Sequence, residues 1–205
     1  MKLYYSPAAC SLAPHIVARE ASLAIELVKV DLATHKTETG EDYLKINPRG
    51  YVPALQVGGE VHTEVAALVQ YLAEQVPQSN LLPAAGTLER FRVNQWLTFV
   101  SQELHKTFSP WLLDAKTAES TKQVARDKLA ARFAELDALF ATRPYLTGDA
   151  FTVADAYAFT IVNWSNFLKI DLKPYPNLQA YMARVAARPK VREALGAERL
   201  VAAAA

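Results

Sequence analysis

Apolar side chains recur along this chain in two rhythms, and the change falls near residue 77. Before it the runs are short. Leu3-Tyr4-Tyr5 reads as a strand closed by Ser6-Pro7, and Leu27, Val28, Val30 and Leu32 mark a second strand from about 26 to 32. Between them Ser11, a residue type that caps helices, opens a helical stretch ending near Ala21. Strand, helix and strand in that order favour parallel pairing, so residues 1–32 read as a βαβ unit. Two short strands, 52–57 and 60–62, then flank Gly58-Gly59 as a hairpin. A helix follows at once, with Val65, Leu68, Val69, Leu72 and Val76 at three- and four-residue spacing.

The second rhythm is longer. Residues 78–86 have the proline- and polar-rich composition of a linker, and no glycine occurs between 87 and 147. Val93, Leu97, Val100, Leu104 and Phe108 mark one face of a long helix that Pro110 ends or bends. Leu129, Phe133, Leu136 and Phe140 mark another. Thr152-Val153-Ala154-Asp155 has the layout of a capping box, with Asp in the usual Glu place, opening a helix through about Leu168. Short helices near 177–187 and 190–197 complete the pattern. The expected domains are therefore an α/β domain over 1–77, a linker over 78–86 and an all-helical domain over 87–205.

Composition narrows the functions. The 205 residues carry 22 basic and 21 acidic groups, a net charge of +1, which lacks the basic excess of a nucleic-acid binder. No uncharged stretch reaches the length of a membrane-spanning helix. One cysteine allows no internal disulfide and, with four histidines, no cysteine-based zinc finger. The expectation is a cytoplasmic protein acting on small molecules, with no nucleic-acid or membrane partner and no metal.

Four groups of residues could carry chemistry. Cys10 follows a strand and a proline-containing loop and stands at a helix start, where free N–H groups and the helix dipole favour a thiolate. Lone cysteines are also common as small, inert core residues, and both readings stand. A dithiol cycle is excluded, since no second cysteine exists. Val52-Pro53 interrupts a strand, as an edge proline or as a cis turn that leaves the backbone of Val52 open to an extended peptide. Thr63-Glu64-Val65 enters a helix, placing a carboxylate near free N–H donors or serving only as a first-turn acid. Thr98, Ser101, Gln102, His105 and Ser109 line a polar stripe beside the apolar face of the long helix, as a cleft wall or a solvated surface.

Together these pieces resemble the cytosolic glutathione S-transferases, and within them the bacterial beta class. The resemblance runs through Met1-Lys2-Leu3-Tyr4-Tyr5, Cys10-Ser11-Leu12, Asn47-Pro48-Arg49-Gly50-Tyr51-Val52-Pro53-Ala54-Leu55, Thr63-Glu64, Glu103-Leu104-His105-Lys106 and Thr152-Val153-Ala154-Asp155-Ala156-Tyr157, in order and across both halves. It implies a thioredoxin-like N-terminal domain joined to an all-α domain, a homodimer, and glutathione as cosubstrate in the cleft between domains. It further implies that Val52, before a cis Pro53, pairs its backbone with the cysteinyl part of glutathione. Glu64 and the N–H of Val65 would hold the γ-glutamyl end. Cys10, Ser11 and His105 are the implied catalytic residues beside the thiol, and His35 would reach the glycyl carboxylate. Thr98, Gln102 and Glu103 complete the implied binding set, Thr98 facing the other subunit's site.

Three positions depart from the pattern of relatives: Val65 where serine is frequent, His35 where lysine is frequent, and Thr98 where asparagine is frequent. The implied activity is conjugation of the glutathione thiolate to a hydrophobic electrophile. Thiol–disulfide exchange through Cys10 is a second enzymatic reading, in which a second glutathione resolves the mixed disulfide. A non-catalytic glutathione or hydrophobic-ligand carrier is the alternative.

Overall fold

The computed structural model describes residues 1–200, which cluster into two compact units, one of residues up to Leu82 together with those from Arg188 on, the other Pro83–Ala187. In the first unit, β1 (Lys2–Tyr5), α1 (Leu12–Glu20), β2 (Glu26–Asp31), β3 (Lys36–Thr37), β4 (Ala54–Val57), β5 (Glu60–His62) and α2 (Val65–Glu74) succeed one another. The sheet order is β3-β2-β1-β4-β5, with β1 and β2 parallel and the other pairs antiparallel. This is the expected thioredoxin-like arrangement. The βαβ unit and the hairpin form where the pattern placed them. Gly58 and Gly59 both take positive φ (55° and 93°), which a two-residue hairpin of this twist demands.

Successive β1 side chains face opposite layers. Leu3 is fully buried, as are Ile16 of α1 and Val69 and Leu72 of α2. Tyr4 joins a separate cluster with Val28, Val30, Tyr43, Val52 and Ala54. Two features carry too little periodicity to be read from sequence: the two-residue β3, and a single 3-10 turn at Tyr43–Lys45 capped by Asp42, whose side chain accepts from the Leu44 N–H. The strand expected from 52 begins only at Ala54, because Pro53 has no N–H to donate to a ladder; the Val52-Pro53 peptide bond is cis.

The second unit is helical: α3 (Leu88–Phe99), a π-helical turn (Val100–His105), α4 (Lys106–Phe108), α5 (Glu119–Phe140), α6 (Val153–Val162), α7 (Trp164–Leu168) and α8 (Pro176–Ala186). Every residue of α6 is buried. An element buried all round lies at the centre of its bundle. The capping box closes its start: the Asp155 carboxylate accepts the Thr152 N–H at 2.9 Å and the Leu146 N–H at 2.9 Å. The Thr152 and Tyr181 hydroxyls donate to it as well, each at 3.2 Å. Burial nevertheless pushes the Asp155 carboxyl up to about 6.

The division differs from the sequence-based one at the C-terminal end. Helix α9 (Pro189–Ala197), expected within the helical domain, packs on α1 in the first unit. Arg188 clamps Glu20 with two 2.7 Å bonds. The buried Glu198 carboxyl accepts from His15 Nδ1 at 2.8 Å and from the Ala8 N–H at 3.1 Å. His15 in turn accepts from Arg19 Nε at its other nitrogen, 3.3 Å away, so its proton sits on Nδ1. The terminal run Ala202–Ala205, whose low-complexity composition reads as a frayed end, lies outside the described residues.

Candidate functional site

The loop from Ser6 to Ser11 is held by its own atoms. The Ser11 hydroxyl donates to the Ser6 carbonyl and accepts the Ser6 N–H, both at 3.2 Å. Ser11 is completely buried. Its hydroxyl thereby closes the loop and shapes the start of α1. Its neighbour Cys10 is half-buried and forms no disulfide. The Cys10 thiol donates to the Val52 carbonyl oxygen at 3.2 Å, so the two sequence candidates, 42 residues apart, meet.

The backbone at Val52 is fixed from the preceding peptide. Tyr43 Oη and Asn47 Nδ2 both donate to the Tyr51 carbonyl, each at 2.7 Å. A peptide group is planar, so clamping the Tyr51 carbonyl also aims the Val52 N–H. Tyr43 is fully buried, and desolvation pushes its phenol up to about 12, keeping it a neutral donor. In the sequence Asn47 is legible only as part of a motif, and Tyr43 not at all. Its bond partner lies eight residues on, with no helical or strand register to announce it.

Glu64 caps α2 in a left-handed conformation, φ 71°, which costs a residue with a side chain about 1–3 kcal/mol. Such strain persists where the surroundings impose it. Its carboxylate pairs with Arg49 Nη1 at 3.1 Å on an exposed surface. The Glu64 carbonyl takes the N–H groups of Ala67 and Leu68, leaving those of Val65 and Ala66 at the open helix end. The Val65 side chain is buried, so at this position only the backbone can address a ligand.

His35 also takes positive φ (52°), and its ring lies over Gly50. A β-carbon on Gly50 would come within 2.8 Å of His35 Cε1, and Gly50 itself has φ 69°, so no larger residue fits there. His35 Nδ1 is buried without a hydrogen-bond partner.

The helical unit carries the other candidates, each in a different situation. Thr98 is exposed on α3 and its hydroxyl donates back to the Asn94 carbonyl at 2.9 Å. Gln102 is exposed. The Glu103 carboxylate is held by Arg132 Nε at 2.9 Å and Lys128 Nζ at 3.2 Å, and these two bonds pull it below the usual carboxylate range. His105 ends the π-helical turn, a geometry frequent at functional positions. Its Nδ1 lies 2.6 Å from the Tyr157 hydroxyl. Burial, with Lys106 adjoining, lowers the imidazole to about 4, so it is neutral at physiological pH. Among the described residues no group of His, Cys, Asp and Glu could hold a metal ion, and no helix is long and apolar enough to cross a membrane.

Comparison with known proteins converges with this geometry. Residues 8–75 match the N-terminal domain of glutathione S-transferases and residues 99–189 their C-terminal domain. Glutathione S-transferase GstA of Escherichia coli is 40% identical over 201 residues, covering 98% of this chain and 100% of that protein. A sphingomonad glutathione S-transferase solved with glutathione is 46% identical at a TM-score of 0.93, covering 98% and 100% of the two chains. A bacterial beta class enzyme of Sphingomonas chungbukensis matches with the same identity, TM-score and coverage.

Proposed function

The chain belongs to the glutathione S-transferase family, and on that premise we propose how its residues handle glutathione. As a glutathione transferase it joins the thiol sulfur of glutathione to an electrophile. A free thiol with a pKa of about 8.5 is mostly protonated at pH 7, so stabilising the thiolate is the main task of such a site. The observation that carries the assignment is the meeting of Cys10 with the backbone edge at Val52.

In this reading the cysteinyl part of glutathione pairs with the Val52 backbone as an added strand. Cys10 lies beside its sulfur, the N–H groups of Val65 and Ala66 receive the γ-glutamyl carboxylate, and Glu64 takes its amine. His35 Nε2 reaches the glycyl carboxylate. For His105 the reading keeps the catalytic role that the resemblance implies, as a neutral imidazole. Thr98, Gln102 and Glu103 play lesser parts, Glu103 through the fixed orientation its two cations give it. The electrophile is hydrophobic and small. A homodimer is supported by Leu88 and Phe91, large apolar residues exposed on the same face of α3 as Thr98. A working thiol at Cys10 fits a reducing, cytoplasmic setting.

Thioether formation from glutathione and a panel of aromatic halides and epoxides tests the assignment; absence of turnover across the panel would overturn it. Exchange chemistry is tested separately. Oxidised glutathione attacked by the Cys10 thiolate leaves a Cys10–glutathione disulfide and one released glutathione, and a second glutathione thiolate then restores Cys10 as oxidised glutathione departs. Intact mass after exposure to oxidised glutathione should show the added glutathione. The Cys10→Ala variant should lose that adduct while conjugation survives.

A further inference from the structure

We propose that Arg49 is a further glutathione-binding residue: its guanidinium, held beside the Glu64 carboxylate, takes the α-carboxylate of the γ-glutamyl group while Glu64 takes the ammonium on the same carbon. The inference rests on the placement of glutathione given above and adds to it the side chain that selects a free amino-acid end. All the residues concerned belong to the sheet unit.

The γ-glutamyl end of glutathione carries an ammonium and a carboxylate on one carbon, so its full complement is an anion and a cation side by side. Arg49 and Glu64 supply that pair. Arg49 Nη1 lies 3.1 Å from Glu64 Oε1, and the two side chains are 68% and 73% exposed. A carboxylate accepts at both oxygens and a guanidinium has five N–H donors in one plane. Their single bond therefore leaves the second oxygen of Glu64 and most donors of Arg49 to a ligand. The planar fork of arginine also matches a carboxylate in a way that the point charge of lysine does not.

The helix end does not supply this charge. The N–H groups of Val65 and Ala66 are neutral donors, and the buried, apolar Val65 side chain adds none. A ligand carboxylate on those groups stands next to the negative Glu64, and Arg49 is the cation that the structure sets against Glu64.

The backbone beneath both partners is pinned. Asn47, only 5% exposed, accepts the Arg49 N–H at its side-chain oxygen, 3.3 Å away, and the Gly50 N–H at its carbonyl, 2.8 Å away. Its side-chain amide donates to the Tyr51 carbonyl at 2.7 Å. One buried side chain thus fixes the chain on both sides of Arg49, while Glu64 is held at φ 71°. Groups fixed before the ligand arrives lose less freedom when it binds.

The test compares glutathione with its γ-glutamyl α-carboxamide, which keeps an oxygen for the helix N–H groups and loses the negative charge. Dissociation constants come from titrations followed by NMR, which need no electrophile and so stand apart from the conjugation assay. Arg49→Gln should bind glutathione about three- to tenfold more weakly, between the worth of an exposed ion pair and that of a charge-assisted bond, and the carboxamide within about twofold of the unsubstituted protein. Arg49→Lys, which keeps the charge without the fork, should fall between the two proteins. The melting temperature of Arg49→Gln should stay within about 1 °C, because the pair it breaks is exposed. Unchanged affinity of Arg49→Gln for glutathione overturns the proposal. So does an equal loss for glutathione and the carboxamide, which would assign Arg49 to the shape of its loop and not to the carboxylate. Unsubstituted protein that fails to bind glutathione at all would overturn the placement of glutathione itself, and the role of Arg49 with it.

Discussion

Replacing Glu198 by glutamine tests whether the C-terminal helix is fastened to the sheet unit by one buried carboxyl group. Glu198 and His15 side chains are both wholly shielded from solvent, and the carboxyl accepts two bonds, from His15 Nδ1 at 2.8 Å and from the Ala8 N–H at 3.1 Å. Glutamine keeps the volume but offers a single oxygen, so one of the two donors must face an NH2 group. His15 cannot adapt by moving its proton, because its other nitrogen already accepts from Arg19. One buried donor left without an acceptor costs about 1–3 kcal/mol. For a chain of this length each kcal/mol lowers the melting temperature by about 2–4 °C, so a midrange cost of about 2 kcal/mol gives a fall of about 4–8 °C. Differential scanning calorimetry of both proteins at one concentration and pH measures it. A melting temperature within about 1 °C of the unsubstituted protein would refute the reasoning, since it would mean that neither bond contributes net stability.

Tyr43→Phe removes one of two donors from the Tyr51 carbonyl; we expect glutathione to bind about three- to tenfold more weakly by calorimetric titration, the worth of about 1 kcal/mol, and unchanged affinity would show that Asn47 alone aims the Val52 N–H. Glu64→Ala should weaken glutathione roughly ten- to a hundredfold by losing a charge-assisted bond, yet shift stability by less than about 0.5 kcal/mol, because its pair with Arg49 is exposed. A large stability change with unaltered binding would contradict that assignment. His105, lowered to about 4 by burial from an ordinary 6.5, is neutral in the fold where an unfolded chain would begin to protonate. Its contribution to stability is complete above pH 6.5 and is lost as pH falls toward 4, about 3 kcal/mol in all. NMR titration should accordingly show no protonation of His105 between pH 8 and about 5, and a midpoint near 6.5 would contradict the burial argument.

Local patterns carried much of the fold into view. Alternation and turn glycines announced β1, β2 and the Gly58-Gly59 hairpin, three- and four-residue spacing announced α2, α3 and α5, and Thr152 with Asp155 announced the start of α6. What stayed hidden depends on partners far away in the chain. A helix's own periodicity does not say which domain it packs against, so the sequence pattern leaves α9 with the helical domain although Glu20 holds its start and His15 and Ala8 its finish. The π-helical turn at Val100–His105 keeps the apolar spacing of an ordinary helix, and only its hydrogen bonds distinguish it. Break and restart at Asn163, between α6 and α7, fall inside one uncharged run, residues 156–168. Within the site, Cys10 and Val52 were each legible as residues with special backbone surroundings, but their contact was not. Ser11 looked chemically free because sequence cannot show that its hydroxyl is already closed onto Ser6. Tyr157 stands 52 residues from His105, where no spacing rule reaches.

The account turns on glutathione lying along the Val52 edge, and a crystal structure of the protein grown with reduced glutathione tests that most directly. The expected electron density has the cysteinyl backbone paired with Val52, the sulfur against Cys10, and the γ-glutamyl carboxylate on the N–H groups of Val65 and Ala66. Glutathione bound elsewhere, or a vacant Val52 edge in crystals soaked at millimolar concentration, would contradict it.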